Sequence, residues 1–278
     1  MLTLPAYAKI NLTLEVLGRR SDGYHEVATV LQEIDLNDTL SVEQAQEITV
    51  EGDNVAFEAA KLLQEVAGLS KGASISIEKG IPKAAGLGGS SSDGAATLRA
   101  LNELWGLGYS LHQLLQVASR VSADTAFFLY GGTVLGQGRG EHITPLSPLP
   151  GSWVVLFRPP VTVPPSKTKS LYASLNPSHF TDGQFTKSVV ELLSHGREVS
   201  PSSFFNVFEG VAFTAYPGLD EYWKRFSALG AGTIHLAGSG PTLFTLVKDK
   251  AQGEELYHSL KREGLEAYLV RTVEACKT

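Results

Sequence analysis

The run Ile81-Pro82-Lys83-Ala84-Ala85-Gly86-Leu87-Gly88-Gly89-Ser90-Ser91-Ser92-Asp93-Gly94-Ala95-Ala96 joins two segments of different hydrophobic period. Before it, Ala73, Ile75 and Ile77 alternate with Ser74, Ser76 and Glu78, the pattern of a strand with one buried face; after it, Leu98, Leu101, Leu104 and Trp105 recur at helical spacing up to Gly106. A strand, a glycine-rich loop and a helix are therefore predicted. Glycines let backbone N–H groups approach an anion, serines add hydroxyl donors, and a helix N-terminus adds the positive end of its dipole. The run reads as a phosphate cradle, although a flexible β-to-α connection with a serine cap has the same composition. It is not a P-loop, because no Gly-Lys-Ser/Thr follows at the required spacing, and Ser91 stands where the dinucleotide fingerprint needs its third glycine.

Upstream, residues 2 to 17 and 26 to 34 alternate apolar and polar side chains, with turn chemistry at Gly23 and Asn37-Asp38 and a short strand at 48 to 51. Ala59, Leu62, Leu63 and Val66 predict a helix, with Asp53 or Asn54 as N-cap and Gly68 past its end. Downstream, Ser110 caps a helix carrying Leu111, Leu114, Leu115 and Val121, and residues 127 to 144 read as a β-hairpin. Pro145, Pro148, Pro150 and Gly151 belong to a connection, which sets the expected domains at 1–150 and 151–278. The second half is predicted to hold a strand at 153–157, a strand-turn-strand over 233–247, a strand at 266–273, and helices near 168–175, 187–195, 203–213, 219–229 and 251–263. The expected class is α/β in two domains, the second an α+β layer of helices on a mainly antiparallel sheet.

At 278 residues and 43% apolar, the chain can bury a sizeable core. Its net charge of −6 has the wrong sign for the phosphate-backbone attraction that nucleic-acid binders exploit. The single cysteine, Cys276, allows no intrachain disulfide and no multi-cysteine zinc site, and a cytoplasmic setting is expected. No signal-like start and no run of 18 apolar residues is read, so no membrane partner is expected. The seven histidines show no ligand spacing, and no dedicated metal site is expected.

Pro82 to Ala96 resembles the signature loop of the GHMP small-molecule kinases, the family of galactokinase, homoserine kinase, mevalonate kinase and phosphomevalonate kinase. Gly238-Ser239-Gly240-Pro241-Thr242-Leu243-Phe244 resembles the family's third motif, a glycine-rich turn approaching the phosphate loop from the other domain. Ala8-Lys9-Ile10-Asn11-Leu12 and Gly18-Arg19-Arg20-Ser21-Asp22-Gly23-Tyr24-His25 narrow the likeness to the branch that phosphorylates the 2-hydroxyl of CDP-methylerythritol in the non-mevalonate route to isoprenoids.

The resemblance implies ATP over Pro82, Ala85, Gly86, Leu87, Gly88, Gly89, Ser90, Ser91 and Ser92, with Asn54 lining the adenine site, and a cleft between domains for the alcohol. Mg²⁺ would enter with ATP, held by phosphate oxygens and waters. Asp124 matches the family's catalytic aspartate, and Lys9 the lysine that holds it ionised. Asn11 and His25 match substrate hydrogen-bonding positions, Tyr24 and Tyr172 the aromatics that sandwich the cytosine ring, and Gly238 and Ser239 the substrate side of the third motif. Each has a plain structural alternative: a cap for Asp124 or Asn54, an edge-strand charge for Lys9, and packing for the tyrosines.

Around Asp124 the family usually has Gly-Ala-Asp-Val-Pro, whereas this chain has Ser122, Thr125 and Ala126; a good helix former in place of proline is expected to keep the local geometry. A monomer or weak homodimer is expected. The rival readings are another GHMP kinase of the homoserine or mevalonate type, or a nucleotide-binding regulator that has lost turnover.

Overall fold

A computed structural model describes residues 1–275; Cys276 lies outside the described residues. The chain forms two compact units that are not consecutive halves. The first takes Met1–Ala8, Leu36–Lys83 and Gly88–Gly131; the second takes Lys9–Asp35, Ala84–Leu87 and everything from Gly132 onward. The proline-rich stretch at 145–151, where the sequence expects a boundary, lies inside the second unit. Two long strands, β1 (Leu2–Arg19) and β2 (His25–Ala45), contribute residues to both units.

In the first unit, the C-terminal half of β2 pairs antiparallel with β4 (Gly72–Glu78), from Thr39 opposite Glu78 to Ala45 opposite Gly72; β3 (Ile48–Val50) runs parallel to β4. Four helices accompany these strands: α1 (Asn54–Val66), α2 (Gly89–Leu104), α3 (Leu111–Val121) and α4 (Ala123–Tyr130). Helix α1 starts where predicted because Asp53 accepts from the Val55 and Ala56 N–H groups, and it buries Ala56, Ala59, Ala60 and Leu63. Ser110 and Gln113 close a capping box on α3.

Two expectations for this unit need correction. Asn37-Asp38 is not a turn: β2 continues through it, because the buried Asp38 carboxylate accepts from the N–H groups of Gly80 (2.7 Å) and Ile81 (2.8 Å) and pairs with Lys79. The predicted hairpin over 127–144 begins too early. Residues 127–130 complete α4, and Phe127, Phe128 and Leu129 are all buried, so a continuous apolar run carried no period to separate helix from strand.

The second unit holds the hairpin itself, β5 (Thr133–Gly138) and β6 (His142–Pro145), with β5 antiparallel to the first half of β2. It then adds β7 (Trp153–Arg158), α5 (Lys167–Ser174), α6 (Gln184–Ser194), β8 (Phe205–Asn206), α7 (Glu209–Ala215) and α8 (Leu219–Ala228). Strands β9 (His235–Leu236), β10 (Leu243–Val247) and β11 (Glu266–Arg271), with helix α9 (Lys250–Arg262) before β11, complete it. A separate antiparallel sheet has the order β11-β7-β10-β9. Phe157, Tyr216, Phe226, Leu236, Leu243 and Leu260 are wholly buried members of one apolar cluster, each such side chain contributing roughly 1.5–3 kcal/mol.

The helix predicted over 203–213 is instead a strand followed by α7. Phe205 and Asn206 pair in parallel with Thr13 and Leu14 of β1, and the Asn206 amide donates to the Leu236 and Gly238 carbonyls, both at 2.8 Å. A buried polar side chain with three partners fixes this segment against its local propensity. Among the described residues no helix is long and apolar enough to cross a membrane.

Candidate active site

The predicted residues divide between the two units. Asn54, Pro82, Gly88 to Ser92 and Asp124 belong to the first; Lys9, Asn11, Tyr24, His25, Ala85, Gly86, Leu87, Tyr172, Gly238 and Ser239 belong to the second.

In the first unit, α2 begins on Gly88, whose φ of 78° is left-handed and whose helix start has no side-chain cap. The first-turn N–H groups of a 16-residue helix are therefore offered outward, with the dipole behind them. Gly89 leaves little room below: a Cβ there would stand 3.2 Å from Ile81 Cγ2 and 3.5 Å from Asp38 Oδ2. Beneath the loop, Lys79 pairs with both Asp38 and Asp93, the latter at 2.6 Å, and both carboxylates are fully buried. Burial, first, and the neighbouring Asp38 and Asp53 push the Asp93 carboxyl up to about 7 against the pull of Lys79. Its Oδ1 is buried without a hydrogen-bond partner. The sequence reading missed this cluster; an Asp inside an otherwise small-residue helix start, with a Lys closing the preceding strand, was its signal.

Ser91 Oγ shares a hydrogen bond of 3.0 Å with Ser122 Oγ, and Ser122 is the N-cap of α4, bonded to the Thr125 N–H (3.2 Å) and hydroxyl (2.6 Å). The glycine-rich loop thus touches the cap of the helix whose first turn carries Asp124. Ser122 and Thr125, two of the departures from the family pattern, are the residues that make this cap, and Ala126 lies within the helix. Asn54 is exposed at the first position of α1; the capping alternative falls to Asp53.

In the second unit, Lys9 is buried on β1 with its ammonium donating to Asn11 Oδ1 at 2.6 Å, and Asn11 Nδ2 donates to Thr29 Oγ1 at 2.8 Å. Thr29 in turn donates to the Thr13 carbonyl at 2.6 Å. Lys9 is therefore a held cation, not an exposed strand-edge charge. The 238–240 turn lies against it: a Cβ on Gly238 would meet the Gly86 carbonyl at 2.8 Å and Lys9 Nζ at 2.9 Å, so only glycine fits, and φ there is 53°. A Cβ on Gly86 would stand 2.2 Å from the Ala237 carbonyl. The expected approach of the third motif to the loop is thus present at Gly86, within one unit. Tyr216 Oη donates to the Ser239 carbonyl at 2.5 Å, and Ser239 Oγ bonds with Thr168 Oγ1 at 3.0 Å.

His25 stacks on Tyr172 with ring centroids 5.0 Å apart and planes 20° apart, and Tyr172 rests edge-on against Phe208. Burial and Arg19 lower the His25 pKa, so its imidazole is neutral at pH 7. Tyr24 is 57% exposed, with the Arg139 guanidinium 4.9 Å from its ring centroid.

Two family models match the chain: "GHMP kinases N terminal domain" over residues 54–132 and "GHMP kinases C terminal" over 189–266. A protein of Dehalococcoides mccartyi named 4-diphosphocytidyl-2-C-methyl-D-erythritol kinase is 44% identical over 281 residues, covering 98% of this chain and 99% of its own. One of the same name from Geobacillus thermodenitrificans is 39% identical over 272 residues, covering 94% and 93%. The crystal structure of a 4-(cytidine 5'-diphospho)-2C-methyl-D-erythritol kinase matches with a TM-score of 0.84 at 35% identity, over 98% of this chain and 99% of that one. A homoserine kinase from Cytophaga hutchinsonii shares the fold, with a TM-score of 0.70 at 19% identity over 99% and 97%.

Proposed function

Since the chain belongs to the GHMP kinase family, we propose that it transfers the γ-phosphoryl group of ATP to the 2-hydroxyl of 4-diphosphocytidyl-2-C-methyl-D-erythritol, a step toward isoprenoid precursors by the non-mevalonate route. The observation that carries this reading is the 44% identity, over essentially both full lengths, with the D. mccartyi kinase.

Phosphoryl transfer depends on positioning and on charge stabilisation more than on covalent chemistry. The uncapped first turn of α2 and the Ser90 to Ser92 hydroxyls suit the phosphates of ATP. Asn54, on the neighbouring α1, is assigned to the adenine side. Asp124 is assigned to orient the attacking hydroxyl and take its proton, and Lys9, held by Asn11, to supply positive charge to the same reaction. The neutral His25 imidazole has one donor and one acceptor for a nucleobase edge, with Tyr24 and Tyr172 as its stacking surfaces.

Among the described residues no three His, Cys, Asp or Glu side chains gather as metal ligands. A Mg²⁺ ion entering with ATP would be carried chiefly by phosphate oxygens and water. When bound, the ion neutralises charge on the β- and γ-phosphate oxygens.

The test is ADP release with each of three alcohols. Turnover with the cytidine substrate at kcat/KM at least about 100-fold above homoserine and mevalonate is expected. Preference for either simple alcohol, or ATP binding with no turnover on any, would overturn the reading.

A further inference from the structure

Helix α5 brings a second lysine to the same surroundings as Lys9. Lys167 Nζ donates to the Ala84 carbonyl at 2.8 Å and, by a short contact, to the Gly240 carbonyl. Ala84 lies in the first part of the glycine-rich loop and Gly240 closes the turn that lies against Gly86, so one ammonium joins the two segments, 83 and 73 positions away along the chain. All of these residues lie in the second unit.

The backbone marks the same connection independently. Among the described residues, Ala84 and Ser166 are the non-glycine residues with positive φ, 54° and 52°. One is the residue Lys167 holds, and the other immediately precedes Lys167 as the N-cap of α5, where it makes no capping hydrogen bond. Left-handed backbone at ordinary residues persists where surrounding contacts determine it, and such strain gathers at functional sites. Here both strained residues flank one hydrogen bond, and Thr168, next on α5, bonds to Ser239 of the same turn.

We propose that Lys167 is a positioning residue for phosphoryl transfer, its ammonium fixing the start of the phosphate loop against the 238–240 turn. The proposal rests on the kinase reading above. It concerns the loop's conformation, and therefore ATP, before it concerns the alcohol.

The electrostatics give it a readout that packing alone would not move. Burial, first, then Lys9 of β1 and Arg158 of β7 lower the Lys167 pKa to about 7. Arg158 is paired with Glu266 of β11 at 2.8 Å. Tyr216, at the end of α7, has its phenol pushed up to about 12 and does not titrate in this range; Lys169 is the other cation on α5. The charged fraction of Lys167 therefore falls as pH rises through about 7.

Lys167→Met and Lys167→Arg, assayed between pH 6 and 9, test this, with ATP affinity also measured by calorimetry in the absence of any alcohol. The Met variant is expected to bind ATP about 10-fold more weakly at pH 6.5, the loss typical of one charged hydrogen-bonding group, while its melting temperature at that pH does not fall. In the wild type, kcat/KM for ATP should decline above pH 7. Lys167→Arg should retain at least about a third of the activity at pH 6.5 and lose that decline, because guanidinium keeps its charge. An ATP affinity within about twofold of wild type in the Met variant, a melting temperature lowered in step with activity, or the same alkaline decline in the Arg variant would overturn the proposal. Wild-type protein that binds ATP but does not phosphorylate the cytidine substrate would overturn the functional reading instead, and the calorimetric comparison would still decide the role of Lys167.

Discussion

Asp93 is a fully buried carboxyl in the helix that follows the glycine-rich loop. It shares Lys79 with the equally buried Asp38, and its pKa is raised to about 7. A carboxyl whose pKa is higher folded than unfolded holds more protons in the folded state, so its contribution is fullest below the unfolded value near 3.8 and is lost as pH rises through about 7. Asp93→Asn removes that loss. The difference in melting temperature between variant and wild type should therefore grow in the variant's favour from pH 5 to pH 8, by roughly 2–4 °C for each 1 kcal/mol. A difference that does not change with pH would mean that the carboxylate stays ionised throughout. The Tyr172 ring makes a second single-residue case. Because it stacks on His25, Tyr172→Ala is expected to raise KM for the cytidine substrate about 10-fold or more and leave KM for ATP within about twofold; equal changes in both would exclude a dedicated nucleobase site.

At the scale of elements, α2 carries a positive-φ glycine at each end, Gly88 with φ 78° and Gly106 with φ 67°. An alanine at either place meets similar backbone strain, about 1 kcal/mol, and Gly106 has open space around it. Gly88→Ala and Gly106→Ala should thus lose similar stability, while Gly88→Ala alone raises KM for ATP, by about 10-fold; equal ATP kinetics in the two would place the phosphates elsewhere. The loop and its flanking elements were legible in the sequence because glycine, serine and a change from period 2 to period 3.6 are local signals. So was the cap at Ser110, and the cap at Asp53 as one of two candidates with Asn54. What escaped was fixed by distant partners. Asp38 stays in a strand because N–H groups more than 40 positions away need it, and Phe205-Asn206 is a strand because β1 and the 236–238 carbonyls hold it. Lys79 and Lys167 belong to no motif, and their importance lies in the carbonyls and carboxylates that folding brings to them.

For the molecule as a whole, Lys9 belongs to one compact unit and Asp124 to the other. Asp124→Asn and Lys9→Met are each expected to lower kcat by roughly 10²–10⁴ with ATP affinity largely kept. The double variant should be little worse than the poorer single one, as for groups that act on one transition state; multiplied losses would mean independent roles. Composition and net charge narrowed the expected partner class, and the family motifs narrowed the expectation further to a cytidine-diphosphate-linked polyol. The interleaving of the units was not legible, because β1 and β2 show the same alternation in both. The reaction is identified by the bond it makes. Incubation with ATP, Mg²⁺ and 4-diphosphocytidyl-2-C-methyl-D-erythritol, followed by ³¹P nuclear magnetic resonance, reads it directly. The expected product has its diphosphate intact and one new phosphomonoester, with no three-bond coupling to any carbon-bound proton as befits a tertiary 2-hydroxyl, in equal amount to ADP; a phosphate on another hydroxyl, or ADP formed without any new phosphomonoester, would contradict the account.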